Sequence, residues 1–135
     1  MSRITSRETL MKLVYGLSFS DQVNLDNFHE VLDDENIDEF DIEYVTKALD
    51  EIKENYSYYV SVIEKNLVNF KLDRISKTDL AILVVAIYEL NKKVDSEKIV
   101  INEAVNLSKK YSQENSYKFV NGILGKIFRE QNELQ

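Results

Sequence analysis

The stretch INEAVNLSKKYSQENSYKFVNGILGK, residues 101–126, contains two short helical patterns. Small, amide, aromatic and basic residues occupy positions where a solvated helix face usually carries mixed Glu and Lys. The second pattern places Gly122 and Gly125 three residues apart, although each glycine costs a helix interior about 1 kcal/mol relative to alanine. This spacing predicts that another helix or a ligand approaches the backbone closely at this point.

The segment upstream of that stretch is the most apolar part of the chain. Residues 80–90, LAILVVAIYEL, are apolar nearly all round, which predicts the most buried helix of the fold. Ser76, followed by Lys77-Thr78-Asp79, is expected to start that helix. Near its end, Tyr88 is expected to be a packed ring and Glu89 a solvated acid.

Helical spacing of apolar residues recurs along the whole chain and predicts about seven helices. The predicted segments are Leu10–Leu17, Leu25–Leu32, Ile42–Ile52, Tyr59–Leu67, Leu80–Leu90, Ile99–Tyr111 and Ser116–Arg129. Thr5 with Glu8 forms a capping-box pattern before the first of these, and Asp41 is a predicted cap of the third. With no proline and three glycines, the chain is predicted to be all-α with short connections.

Length and composition restrict the class of protein. A chain of 135 residues with 44% hydrophobic and 30% charged residues has the composition of one globular domain. The absence of cysteine excludes disulfides, thiolate zinc sites and cysteine nucleophiles. No apolar run approaches the roughly 18 residues of a membrane span, and the N-terminus does not resemble a signal peptide. These features predict a cytoplasmic protein that does not enter a membrane.

The net charge of −7 is unevenly distributed along the chain. Residues 25–54 contain twelve acidic side chains and two lysines, whereas residues 92–135 have a net charge of +2. Such asymmetry is compatible with a polyanionic partner, although an acidic block is more often a solvated helix end and loop. In either case, a nucleic acid is expected to avoid the acidic block.

Patterns typical of enzymes are nearly absent. His29 is the single histidine and lies in an acidic stretch without a nucleophile turn nearby. The carboxylates between Asp33 and Glu43 lack the ligand spacing and the central glycine of an EF-hand. Gly16 stands alone, and Gly122 and Gly125 lie inside a predicted helix, so there is no phosphate-binding loop. We therefore expect no catalytic residue, no metal site and no cofactor.

Basic and aromatic residues alternate in two regions that suit RNA. Arg3 and Arg7 lie in and just beyond an N-terminal arm, and Lys109 to Phe119 combine lysines with aromatic rings. Single-stranded RNA needs cations for its phosphates and flat side chains on which its bases stack. Two alternatives stay open at this stage. The arginines can be ordinary surface charge, and Phe119 can belong to the core with Ile123 and Ile127.

Three short motifs resemble the NusB family of bacterial antitermination factors: Tyr88-Glu89-Leu90, Asn102-Glu103-Ala104 and Lys118-Phe119-Val120-Asn121-Gly122. The similarity is strong from about Asp79 to Lys126, and in the first half Arg7-Glu8 followed by Tyr15 matches the family's opening helix. The resemblance implies two small three-helix bundles packed as one domain over residues 1–135. The two halves would span about residues 1–72 and 73–135.

The resemblance also implies a function and a set of site residues. NusB-like proteins bind the single-stranded boxA segment of ribosomal RNA transcripts together with NusE, a protein of the small ribosomal subunit. Within the RNA polymerase antitermination complex, they help the polymerase to read through terminators. By position, the implied RNA-binding residues are Arg3, Arg7, Lys118 and Phe119. The implied NusE-binding residues are Tyr15 and Asp79.

The chain departs from the family pattern at two positions that often carry arginine, Leu80 and Val84. Missing charges there would weaken RNA binding by the chain alone. Two alternative functions are therefore kept: a protein-interaction module with little RNA affinity of its own, and an accessory in ribosomal RNA maturation. The second is suggested because some ribosomal RNA methyltransferases carry this fold as an N-terminal domain. A homodimer that buries the NusE-facing surface is also left open.

Overall fold

The computed structural model describes residues 3–17, 39–68 and 71–133. Within these ranges the chain forms six α-helices and one short 3-10 helix, and no strand. In chain order they are α1 (Arg3–Leu17), α2 (Glu39–Glu54), α3 (Tyr56–Lys65), the 3-10 helix (Leu72–Arg74), α4 (Lys77–Lys92), α5 (Glu97–Tyr111) and α6 (Ser116–Glu133). The prediction of an all-α fold is confirmed.

Helix α4 is the centre of the fold. It contacts each of the other five α-helices of the described residues, and every residue from Ala81 to Leu90 is buried. Because all sides of α4 meet apolar neighbours, its sequence has no polar face. One cluster of buried side chains, from Leu10 to Ile127, includes residues of every α-helix. The boundary of the two halves near residues 72 and 73 stays a prediction and coincides with the 3-10 helix.

The predicted start of a helix is correct at Ser76, which forms an N-cap. It is wrong at Thr5 and Asp41, where the helix extends further toward its N-terminus. The Ser76 hydroxyl accepts a hydrogen bond from the Asp79 backbone N–H at 3.0 Å, as an N-cap should. Helix α1 begins at Arg3 and α2 at Glu39, so Thr5 and Asp41 lie inside helices instead of capping them. In α1, Ser6 and Arg7 are already buried, and such tertiary packing stabilises helical turns beyond a local capping signal.

The expected effect of Leu80 and Val84 on RNA binding is not supported at Val84. Its side chain is completely buried in the core, so position 84 does not offer a surface contact to a phosphate. Leu80 is half-buried and packs against the same core. Apolar residues suit these positions because both side chains contribute to the interior around α4.

The close helix approach predicted at the glycines is wrong. A Cβ added to Gly122 would have no neighbour within 4 Å, and one added to Gly125 would lie 3.4 Å from a guanidinium nitrogen of Arg129 in the same helix. Gly122 is exposed on α6. Of the two reasons offered for these glycines, the approach of a neighbouring helix is therefore excluded at Gly122 for the part of the chain that the structure describes, and the approach of a ligand is left.

Gly122→Ala should consequently raise the free energy of unfolding by about 1 kcal/mol, because alanine is the better helix former and meets no steric obstacle. Chemical denaturation measured for both proteins checks this prediction. A loss of stability in Gly122→Ala would mean that the backbone is packed more closely than the structure indicates.

Several sequence predictions fall outside the described residues. These are the second helix at Leu25–Leu32, His29 and the carboxylates from Asp33 to Asp38. Within the described ranges, no helix has the length and apolar character needed to traverse a bilayer. The same ranges contain no group of three or more His, Cys, Asp or Glu side chains placed to hold a metal ion.

Candidate nucleic-acid and partner interfaces

A groove of about 250 Å³ runs between the end of α3 and the outer face of α6. The residues that line it are Asn66, Leu67, Val68, Lys118, Phe119, Gly122, Ile123 and Lys126. Lys118, Gly122 and Lys126 are four residues apart, so they share one face of α6. The groove therefore combines two cations with a position that carries no side chain.

The predicted RNA-binding residues Lys118 and Phe119 both lie at this groove. Lys118 is exposed, and the Lys126 ammonium lies 3.5 Å from the backbone carbonyl oxygen of Asn66. Phe119 is half-buried and packs against the hydrophobic core. Phe119 thus packs against the core, as the alternative interpretation predicted, and also lines the groove. Its role in RNA binding stays a prediction.

Arg7, which was also predicted to bind RNA, does not lie in an exposed arm. Its side chain is buried, with 3% of the residue exposed. The guanidinium Nε donates to Glu89 Oε1 at 2.5 Å, and an Nη atom pairs with Asp95. Because the guanidinium already has these carboxylate partners, the prediction that Arg7 contacts RNA is not supported. Arg3 is the first residue of α1.

Glu89 accepts hydrogen bonds from two directions in the interior. It is 1% exposed, so the expectation of a solvated acid is wrong, whereas Tyr88 is a packed ring as predicted. The Tyr44 hydroxyl donates to the second oxygen of Glu89. Burial, followed by the neighbouring carboxylate, raises the pKa of Tyr44 well above its usual range. Tyr44 therefore stays a hydrogen-bond donor, and the network joins α1, α2 and α4.

The predicted NusE-facing tyrosine lies at a second, smaller groove between α1, α4 and α5. Met11, Lys12, Tyr15, Thr78 and Tyr111 line this groove, which has a volume of about 220 Å³. Tyr15 is 38% exposed. An aromatic side chain that is anchored on a helix and partly exposed is typical of an interface residue.

The other predicted NusE-facing residue, Asp79, does not lie on the surface. It is 5% exposed, and the Ser108 hydroxyl donates to its carboxylate at 3.4 Å. This contact connects the first turn of α4 with α5. The direct role in partner binding is therefore not supported for Asp79, whose visible role is to join two helices beside the groove.

The sequence model of the NusB family matches residues 4–129 of this chain. The chain belongs to the NusB family. Among its relatives, the transcription antitermination protein NusB of Clostridium perfringens is 39% identical over 132 residues, covering 96% of this chain and 98% of the relative. The NusB protein of Acetivibrio thermocellus is 41% identical over 130 residues, covering 96% and 90%. The resemblance inferred from the sequence is thus confirmed.

Solved NusB structures have the same fold as this chain. A NusB structure from T. maritima superposes with a TM-score of 0.86 at 34% identity and covers 96% of this chain and 92% of its own. A crystal structure of the antitermination factors NusB and NusE in complex with double-stranded RNA contains a similar chain, with a TM-score of 0.84 at 29% identity and coverage of 95% and 96%.

Two features of these NusB surfaces were not apparent from the sequence. Lys126 was not singled out, although its spacing of four from Gly122 was a usable helical signal. The proximity of Glu8 to Lys110 and Tyr111 had no signal, because these residues are more than 100 positions apart in the chain. Only the packing of α1 beside α5 brings these distant residues into contact.

Proposed function

We propose that this chain is an antitermination factor that binds boxA-type single-stranded RNA and NusE together, so that RNA polymerase reads through terminators in ribosomal RNA operons. The groove at Lys118 and Lys126 is the observation that carries this proposal. Family membership supports it, since the relatives are named transcription antitermination proteins. A structure of a related chain contains both NusE and RNA.

The groove residues suit RNA chemically. The ammonium groups of lysines neutralise the phosphates of the RNA backbone, whatever the base sequence. Aromatic rings stack with any base, because every base has a π-face. Phe119 is fixed by core packing, so little conformational entropy is lost when a base stacks on it. The absence of a Cβ at Gly122 leaves space for the nucleotide between the two lysines. We therefore assign the RNA surface to Lys118, Phe119, Gly122 and Lys126.

We assign NusE binding to the groove at Tyr15. This groove lies on α1, α4 and α5, whereas the RNA groove lies on α3 and α6. Because the two sets of lining residues do not overlap, RNA and NusE would be able to bind at the same time. When NusE also contacts the bound RNA, the two proteins form a joint surface, and each partner then raises the apparent affinity of the other.

Replacing Lys118 and Lys126 with glutamine should lower RNA affinity several-fold at low salt. For single strands, each lost phosphate contact should reduce the slope of log Kobs against log salt by about 0.7. Titration of a labelled boxA-type RNA over a salt series, with the chain alone and with NusE, measures both quantities. A duplex of the same sequence distinguishes single-strand from double-strand binding.

Lys47→Gln is the matched control for this experiment. Lys47 is exposed on α2 and pairs with Glu43 there, away from both grooves. Lys47→Gln removes one positive charge, as Lys118→Gln and Lys126→Gln each do. If the groove variants bind RNA as the control does, the RNA surface is wrong. The chain would then be better described as a protein-interaction or ribosomal RNA maturation module with little RNA affinity of its own.

A further inference from the structure

Three hydrogen-bond donors surround one carboxylate on the face where α1 meets the end of α5. The Lys110 ammonium lies 3.0 and 3.2 Å from the two oxygens of Glu8. The Tyr111 hydroxyl donates to the same carboxylate. The Lys12 ammonium, one turn along α1, lies 3.9 Å from Glu8 Oε1. Two cations and a hydroxyl thus converge on a single anion.

The charges of this cluster are well defined. Burial by itself would raise the pKa of Glu8, but the hydrogen bonds from Tyr111 and Lys110 outweigh it and lower the pKa below its usual value. Glu8 is therefore ionised at neutral pH. Among the described side chains, the cluster joins the Glu8 carboxylate with the ammonium groups of Lys12 and Lys110. Both ammonium groups also lie over the Tyr111 ring, at 5.7 and 5.2 Å from its centroid.

We propose that Lys12, Lys110 and Tyr111 form a binding site for a phosphate of the RNA backbone, and that Glu8 fills this site in the free protein. A carboxylate and a phosphodiester both present two oxygens that share one negative charge, so the same donors suit either group. The inference rests on the proposed RNA-binding function and extends it beyond the groove at Lys118. Lys12 and Tyr111 also line the groove assigned to NusE, so the phosphate site lies where RNA and NusE would meet.

Continuity with the RNA groove favours RNA as the ligand. Lys109 lies over the Tyr117 ring, 4.8 Å from its centroid, and Tyr117 directly precedes Lys118 in the first turn of α6. Along the chain, basic and aromatic side chains thus alternate from Lys109 to Phe119, between the Glu8 cluster and the groove. This alternation suits a nucleic-acid strand, whose phosphates and bases need both kinds of partner.

A phosphate can compete with Glu8 because both lysines that hold it are accessible: the side chains of Lys12 and Lys110 are 38% and 60% exposed, whereas that of Glu8 is 16% exposed. In this arrangement Glu8 competes with RNA for the same donors. Removing its charge should therefore strengthen RNA binding, and removing one of its lysine partners should weaken it. A purely structural ion pair predicts no change in RNA affinity from either substitution.

Glu8→Gln should increase the affinity of the full chain for a boxA-type single-stranded RNA by roughly three- to tenfold at low salt, the scale of one or two phosphate contacts. Lys110→Gln should lower it by a similar factor. In the Lys110→Gln background, Glu8→Gln should give little further gain, because the donor for which Glu8 competes is absent. Isothermal titration calorimetry or fluorescence titration of the unsubstituted chain, the two single variants and the double variant completes this double-mutant cycle.

Glu43→Gln is the matched control for the change in net charge. It also removes a carboxylate and breaks an exposed ion pair, with Lys47 at 3.1 Å. Equal gains for Glu8→Gln and Glu43→Gln would overturn the proposal, as would unchanged RNA affinity in Lys110→Gln. Stronger binding of NusE but not of RNA by Glu8→Gln would overturn it too, and would assign the site to an acidic protein side chain.

The proposed function is tested separately by the groove lysines. If the Lys118 and Lys126 substitutions weaken RNA binding while the Glu8 cycle shows no coupling, the groove is retained and the phosphate site is rejected. Thermal unfolding of every variant shows whether its fold is retained. Lys110 is exposed, whereas the Glu8 side chain is 16% exposed. Glutamine has nearly the size of glutamate and keeps a hydrogen-bond acceptor for the donors around it, so both glutamine variants are expected to fold.

Discussion

Replacing Arg7 with methionine should lower the free energy of unfolding by about 3–5 kcal/mol, the usual cost of removing one partner from a buried ion pair. Methionine preserves most of the side-chain length but leaves the Glu89 carboxylate in the interior without its cation. The Tyr44 hydroxyl still donates to Glu89, yet one neutral donor does not balance a buried charge. Urea denaturation followed by circular dichroism measures the loss.

The double variant Arg7→Met/Glu89→Met separates the pair from the packing around it. When both buried charges are removed, no uncompensated ion is left in the interior, because the remaining partner of Arg7, Asp95, is 36% exposed to water. Much of the lost stability should therefore return. If Arg7→Met instead keeps full stability and loses RNA affinity, Arg7 contacts RNA as the family resemblance implied. That result would reject the structural role derived from its burial.

The fold of this chain was largely predictable because helical periodicity is a local signal. The apolar run from Leu80 to Leu90 identified the central helix, since a helix surrounded by neighbours has no polar face. Ser76 identified its start, because a cap bonds to a backbone group only three residues away. Where tertiary packing replaced the local signal, as at Thr5, the predicted start of the helix was wrong.

The candidate sites were less predictable because they depend on residues distant in sequence. Arg7 has the same appearance in a sequence whether it points to solvent or to a carboxylate 82 positions away. Gly122 and Gly125 predicted a close approach that the structure does not show, because glycine spacing does not distinguish a packed neighbour from open space. Lys118 and Phe119 were predicted from their motif, and both line one groove; their contact with RNA stays a prediction.

Buried and exposed charges have different consequences in this protein. Arg7 and Glu89 are both almost completely buried, so they are expected to affect stability more than binding. Lys118, Lys110 and Lys126 are exposed, so their substitution is expected to change binding with little effect on folding. The role of a basic side chain therefore depends on its surroundings. For this reason we expect Arg7 to stabilise the fold and Lys118 to bind RNA.

Tyr15→Asp should weaken binding to NusE by about 2 kcal/mol or more, the scale of an interface hot spot, or roughly 30-fold in Kd. The substitution removes a partly exposed ring and would place a charge in the groove with Met11, Thr78 and Tyr111. If that surface is covered by the partner, the new carboxylate loses its hydration, and the lysine of this groove, Lys12, already pairs with Glu8. Titration of NusE into each protein measures the loss.

Tyr58→Asp is the control, because Tyr58 is 49% exposed on α3 and lines a different groove with Asn55 and Asn91. It makes the same chemical change without touching the surface at Tyr15, so NusE binding should persist. RNA binding by the chain alone should fall much less than NusE binding in Tyr15→Asp, since Tyr15 lies neither in the groove at Lys118 nor among the donors around Glu8. Loss of RNA affinity in Tyr15→Asp, with the fold and NusE binding retained, would exchange the two assignments.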